Sequence, residues 1–255
     1  MTPILVLSLN TFREIIRDRI LYGILVFALF LIGLSLALGQ LSFAEQVRIS
    51  TDFGFTGIHI SAAILAIFIG SSLVAKEIDK RTIMTLLVRP LSRTQFIFGK
   101  FLGLSLLLSV LVIGLAVVLA LVVNQLGFVI QFNFVVAVFG IWLESLVLLS
   151  LALFFGSFSR PIMTVIFAAS FFLLGHWVDS LKFFMTKNTS ASFKMLGKVI
   201  SNIVPNLETL NWRAAPVYSI PVEPKVIAQA IAYNATWIVF LLLATALIFR
   251  RRDFV

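Results

Sequence analysis

The sequence predicts an all-α, polytopic membrane protein: six transmembrane helices, an N-terminal interfacial helix, and a cytoplasmic helix between the second and third spans. Three observations predict it. The 255 residues are 60% hydrophobic and 12% charged, with a mean hydropathy of +1.10, far from the balance of a soluble domain. The apolar residues fall into six runs close to the roughly 20 residues that a spanning helix needs. Lys and Arg gather beside those runs. In a soluble chain, a net charge of +9 would point to nucleic acid. Beside membrane segments the same charges fix orientation and meet anionic lipid, so the expected partner is membrane lipid and no nucleic acid. The chain has no cysteine, which excludes disulfides, thiolate metal sites and cysteine nucleophiles.

Residues 1–255 read as a single membrane domain. Within 1–19, Thr2 and Pro3 make a helix start. Leu5, Leu9, Phe12, Ile16 and Ile20 recur at helical spacing, with Arg13, Glu14, Arg17 and Asp18 between them, the pattern of a helix lying in the interface. The first span is 20–38. A polar outer loop, 40–56, leads to the second span, 57–75, whose Gly, Ser and Ala permit close packing. The third span is 101–123 and the fourth is 134–156, with Glu144 near its middle. After a tight turn at 157–161 comes the short fifth span, 162–178. The sixth span, 226–249, ends on Arg250, Arg251 and Arg252.

The long outer loop, 179–225, contains helically spaced Phe193, Leu196, Ile200 and Ile203, an interfacial helix ending at Pro205. Pro216, Pro221 and Pro224 predict extended chain beyond it, with Trp212 and Tyr218 suited to the interface.

The connector 76–100, KEIDKRTIMTLLVRPLSRTQFIFGK, carries six Lys/Arg against Glu77 and Asp79. Ile83, Leu86 and Leu87 keep helical spacing until Pro90 stops the helix. Ser92 and Gln95 then form a capping box that starts the next one. The N-terminus, connector, 157–161 turn and tail carry thirteen Lys/Arg between them, while the short loops opposite carry only Arg48. Short-loop charge decides orientation, so both termini and the connector are expected on the cytoplasmic side of the cell (inner) membrane.

Catalytic motifs are absent. Gly99-Lys100 lacks the upstream Gly and following Ser/Thr of a phosphate loop, and there is no G-x-S-x-G or H-E-x-x-H. His59 and His176 lie near the outer ends of their spans with no third ligand type apparent, so they read as packing histidines rather than a shared metal site. Glu144 costs roughly 2.5–3.5 kcal/mol at mid-span. It must face protein or a water-filled path, either lining a translocation route or gating it by a change of protonation or partner, or else serving as a packing element that is protonated or bonded to a neighbouring Ser or Thr.

Glu77, Thr82, Leu86, Leu87, Pro90, Ser92, Arg93, Gly99 and Lys100, the step Pro205-Asn206-Leu207-Glu208 and the ending Arg252-Asp253 together resemble the permease subunits of type 2 ABC exporters. The likeness is greatest to the six-span group that includes the nitrous-oxide-reductase maturation and gliding-motility permeases. Arg81 stands where that family often has Gly. The resemblance implies that the connector is a coupling helix docking on a separate ATP-binding subunit. Arg81 and Arg89 would lie at that surface, with Ile83, Leu86 and Leu87 on the docking face. It implies a second permease copy, most plausibly an identical chain, with the first and fifth spans facing it, and ATP and magnesium on the partner subunit rather than here. Two other readings stand beside transport: an ATPase-coupled scaffold for mechanical or assembly work, and an intramembrane lipid-modifying enzyme. The enzyme would need a cluster of polar groups at one depth, which the sequence does not display.

Overall fold

The computed structural model describes residues 3–41, 45–79, 92–187 and 190–251. Among them the chain forms α1 (Pro3–Ile16), α2 (Arg19–Gln40), α3 (Gln46–Asp79), α4 (Arg93–Gln125), α5 (Phe132–Gly156), α6 (Pro161–Lys187), α7 (Ala191–Ile203), α8 (Ala214–Tyr218) and α9 (Pro224–Arg251), with one 3-10 turn at Leu207–Leu210 between α7 and α8. Six of these helices, α2, α3, α4, α5, α6 and α9, are long and apolar enough to cross a membrane. They run alternately up and down. One end of the bundle, the connector end, carries α1, the end of α3 and the start of α4. The opposite, segment end carries the 126–131 turn and residues 190–223. Of the predicted coupling residues, Arg81, Thr82, Ile83, Leu86, Leu87, Arg89 and Pro90 lie outside the described residues. Glu77 falls in the last turns of α3, and Arg93 opens α4.

The helix starts follow local chemistry. Asp18 caps α2 by accepting from the Ile20 amide at 3.1 Å. At the head of α4 the capping box is reciprocal: the Gln95 amide donates to Ser92 Oγ at 3.2 Å, and the Ser92 amide donates to Gln95 Oε1 at 3.1 Å. That cap starts α4 eight residues before the apolar run begins.

Several helices outrun the predicted spans. The expected outer loop 40–56 is mostly helix, because α3 begins at Gln46. Its polar residues are used within the helix: Arg48 pairs with Glu45 at 3.1 Å, Thr51 donates to the Val47 carbonyl, and buried Ser50 reaches the Ser35 carbonyl of α2. Likewise α6 continues to Lys187, nine residues past the predicted end, supported by the i,i+3 pair Asp179–Lys182 at 3.2 Å. Pro216 does not extend the chain; it sits inside α8. Trp212 is not an interfacial anchor but is buried beside Gly140.

At the centre stands α5. It is apolar all round, which fits a helix surrounded by protein, and eighteen of its 25 residues are buried. It packs against α3, α4, α6 and α9. By contrast α6 buries only Thr164, Ala168, Gly175 and Val178 and turns the rest of its apolar surface outward. Many hydroxyls in the spans bond to carbonyls one turn back, as Ser145 does to Trp142, Ser150 to Val147 and Thr245 to Leu241. This satisfies them without water.

The two amphipathic helices use their apolar stripes differently from a soluble helix. On α1, Leu7, Ser8 and Ile15 are buried while Leu5, Leu9 and Ile16 are exposed. On α7, Gly197 meets Met185 of α6 while Leu196 and Ile203 are exposed. Part of each stripe faces away from the protein, as interfacial placement requires, while Phe12 of α1 packs against the core and Phe193 and Ile200 of α7 are half-buried. Gly99 and Gly103 of α4 let α1 approach. A Cβ at Gly103 would stand 2.5 Å from the Ser8 carbonyl oxygen and 2.8 Å from Thr11 Cβ.

That crossing predicts an asymmetry between two glycines of one helix. Gly103→Leu should destabilise the purified chain by about 1–3 kcal/mol, the usual cost of overpacking. Gly114→Leu, with nothing within 4 Å of its Cβ position, should be close to neutral. Equal thermal stability of the two variants in nanodiscs would contradict the packing described.

A buried carboxylate and histidine cluster

Glu144 is 2% exposed at the middle of α5. Its neighbours are the chain's two histidines. His59 Nε2 of α3 and His176 Nε2 of α6 both lie 2.9 Å from Glu144 Oε1. The cluster continues through His176 Nδ1, 2.9 Å from Glu208 Oε2, and through His59 Nδ1, 2.8 Å from Arg213 Nη1. The rings of His59 and His176 meet edge-on at 5.3 Å between centroids, with Phe172 5.5 Å from the first and 5.0 Å from the second. Glu144 therefore faces protein, as its energetic cost demands. Its partners are histidines rather than the expected Ser or Thr. The separate packing role expected for His59 and His176 is corrected by the same contacts.

Glu208 and Arg213 come from the stretch 204–213, which the sequence places in an outer loop. It is not a surface loop. Val204, Asn206, Leu207, Leu210 and Trp212 are buried, and the stretch wedges between α5 and α6. The glycines of those helices make room: a Cβ at Gly140 would stand 2.4 Å from the Leu210 carbonyl oxygen, and one at Gly175 would stand 2.7 Å from Leu207 Cγ. Gly140 lies eight residues into α5, about 12 Å at 1.5 Å per residue. Irregular backbone at such depth is tolerated where protein surrounds it.

Asn206 shapes the wedge. Its Oδ1 accepts from the Glu208 amide at 3.2 Å, starting the 3-10 turn, and its Nδ2 donates to Asp179 Oδ1 at 2.7 Å. Its own amide donates to the Tyr233 hydroxyl of α9 at 3.1 Å. Asn211 Nδ2 then donates to Glu208 Oε1 at 2.7 Å, and Arg213 Nε donates to Asn211 Oδ1 at 2.8 Å. The Pro205-Asn206-Leu207-Glu208 step thus has a physical purpose, since it turns the chain so that Glu208 faces His176.

The hydrogen-bond chemistry assigns the protons. Arginine has donors only, so His59 Nδ1 accepts from Arg213. His59 is then neutral and donates Nε2–H to Glu144. The set His59, Glu144 and His176 brings three ligand atoms within 4.8 Å of one another, a spacing a divalent cation can use. A metal on His59 Nε2 would instead leave Nδ1 carrying hydrogen, facing a guanidinium that cannot accept it. As arranged, the donor set does not fit a metal ion. No Ser, Thr or Tyr hydroxyl bonds to either histidine among the described residues, so the cluster offers no nucleophile–base pair. Glu208 lies outside the spans, and the hydrogen bond from His176 holds its carboxyl below the usual range, with Asn211 and Arg213 adding and burial opposing.

A family model described as "ABC-2 family transporter protein" matches residues 5–254 of the chain. No curated protein sequence matches it.

Two outcomes follow from the geometry. Glu144→Ala strips both histidines of their acceptor and should cost about 3–5 kcal/mol, the usual loss when one partner of a buried pair is removed. Glu144→Gln, which keeps the shape and an acceptor, should cost less. Denaturation of the purified variants checks the order. For Glu208, a depressed carboxyl stabilises the docked wedge above its unfolded value and loses that contribution as pH falls through the folded one. The acid limb of the pH–stability profile should therefore flatten in Glu208→Gln.

Proposed function

This chain belongs to the ABC-2 family of transporter proteins, and on that premise we propose that its permease role is ATP-driven export, coupled through the 76–100 connector. Membership makes it a multi-pass permease subunit of an ABC transporter that works with an ATP-binding subunit. The observation that carries the coupling reading is the connector itself: a basic stretch with Ile83, Leu86 and Leu87 at helical spacing, closed by Pro90 and followed by the Ser92–Gln95 cap. An apolar stripe with flanking Arg81 and Arg89 suits a groove on a soluble partner. Glu77, Thr82 and Arg93 flank or belong to the same surface.

Connector and termini lie on the cytoplasmic side of the inner membrane, in keeping with the charge of the short loops. Two copies of the chain pair about a two-fold axis, the commonest closed symmetry, with α2 and α6 at the pairing face. Both helices turn large apolar side chains outward, among them Val26 and Phe30 of α2 and Ile162 and Trp177 of α6. The resemblance to the six-span group points to the subgroup. ATP and magnesium act on the partner subunit. Glu144 stands as a candidate element of the translocation route.

The experiment is reconstitution with and without the ATP-binding subunit. The isolated chain should neither bind nor hydrolyse ATP. Leu86→Asp combined with Leu87→Asp should abolish co-purification of the ATP-binding subunit while the membrane fold stays intact. Undiminished co-purification of that double variant, or ATP turnover by the isolated chain, would refute the coupling reading.

A further inference from the structure

Three nitrogen–oxygen contacts join the histidines to carboxylates: His59 Nε2 to Glu144, His176 Nε2 to Glu144, and His176 Nδ1 to Glu208. Each needs one proton. Two neutral imidazoles supply only two. A third proton must therefore be shared among His176, Glu144 and Glu208. With it the cluster is electrically neutral, since two carboxylates face one imidazolium equivalent and Arg213. Without it a net negative charge is buried, and one carboxylate oxygen faces an imidazole lone pair. Burying an uncompensated charge is among the costlier events in a protein interior.

Exposure rises along the cluster. The side chain of Glu144 is 3% exposed, that of His176 17% and that of Glu208 36%. The buried proton thus has a path of hydrogen-bonded groups to water at the segment end, ending on the wedge itself. Among the described residues, no titratable group besides Glu144 and Glu208 is bonded to His176. On its own helix Asp179 is engaged by Lys182 and Asn206. From α3 and α5 the groups facing it are His59 and Glu144, and from the wedge Glu208, with Arg213 behind His59. From α9 Tyr233 bonds the Asn206 amide. From α7 the contact is Gly197 against Met185, nine residues along α6.

We propose that the His59–Glu144–His176–Glu208 cluster is a proton-binding site whose one exchangeable proton latches the 204–213 wedge to the span bundle. When the proton leaves, a His176 N–H bond breaks. The proton passes to the Glu208 carboxylate and from there to water. Glu208 then loses the donor from His176 and keeps only that from Asn211, and the wedge loses its ion pair with α6, keeping there the Asn206–Asp179 hydrogen bond and apolar packing. The ligand is the proton, and its binding is linked to opening of the bundle at the segment end. The inference goes beyond the transport reading and does not depend on the cargo or on ATP coupling.

Because the chain has no cysteine, a single introduced one is a clean reporter. Ala215 is 4% exposed in α8, directly after the wedge, and Val129 is 71% exposed at the same end. In nanodiscs, Ala215→Cys would be labelled with a membrane-impermeant maleimide across about pH 5 to pH 10, a range that brackets histidine and its perturbed forms. Each rate is divided by that of Val129→Cys. The expected ratio rises roughly tenfold on the alkaline side, the change that about 1.4 kcal/mol of lost docking produces. With His176→Gln, which cannot carry the imidazolium charge or release a proton, labelling should be faster throughout and the alkaline rise absent. With Glu208→Gln, which removes the carboxylate that pairs with His176, the alkaline rise should likewise be absent. A flat profile in the parent, or an alkaline rise that survives His176→Gln, overturns the proposal. Stoichiometric Zn2+ binding by the parent chain, lost in Glu144→Gln, overturns it too, by making the cluster a cation site.

Discussion

A single carboxylate at the middle of a central helix constrains much of this architecture. Glu144 sits where a charge costs roughly 2.5–3.5 kcal/mol in a lipid-facing helix. Ordinary interhelical hydrogen bonds in membranes return only about 0.6 kcal/mol on average, so one such bond would not offset it. Two histidines on one oxygen, with the outer carboxylate and guanidinium behind them, are a different matter, because hydrogen bonds to charged groups contribute about 1.5–3 kcal/mol each. The requirement draws α3 and α6 to the same side of α5 and brings residues 204–213 down to meet them.

Much of the architecture is legible in the sequence because its causes are local. Six apolar runs and a capping box at Ser92 and Gln95 act within a few residues, whereas Pro224, which reads as extended chain, opens α9. Loop boundaries are less legible. Polar Arg48, Ser50 and Thr51 look like a loop, yet a helix accommodates them when each finds a partner, Arg48 on Glu45 just before the helix, Ser50 on α2 and Thr51 on its own helix.

The cluster is legible only as a demand. Glu144 announces that it needs a partner, but its partners stand 85 and 32 residues away, and Arg213 stands 154 residues from His59. No motif records such distances. One signal is present: the chain has two histidines, both fall in spans, and ionisable groups in spans tend to find one another. Trp212 misleads for a related reason. Its amphipathic ring suits an interface, but Gly140 leaves a vacancy on α5 that its apolar body fills. Missing side chains on α5 and α6 are as informative here as those present, and a sequence read for chemistry passes over them.

The wedge also imposes an order on biogenesis. Its seat is made of α3, α5 and α6, and its return into the bundle follows them in the chain, with only α9 among the spans still to be inserted. Until that moment Glu144 and both histidines can pair with each other, but Arg213 is not yet there to fix the His59 tautomer, and the groove between Gly140 and Gly175 is open. A newly made chain therefore passes through a stage with all but one span in place and its polar centre incomplete. Seating of the 204–213 stretch completes the polar centre, and α9 then fastens it through Tyr233 and Asn234, so the last span to enter is also the one that holds the returned stretch in place.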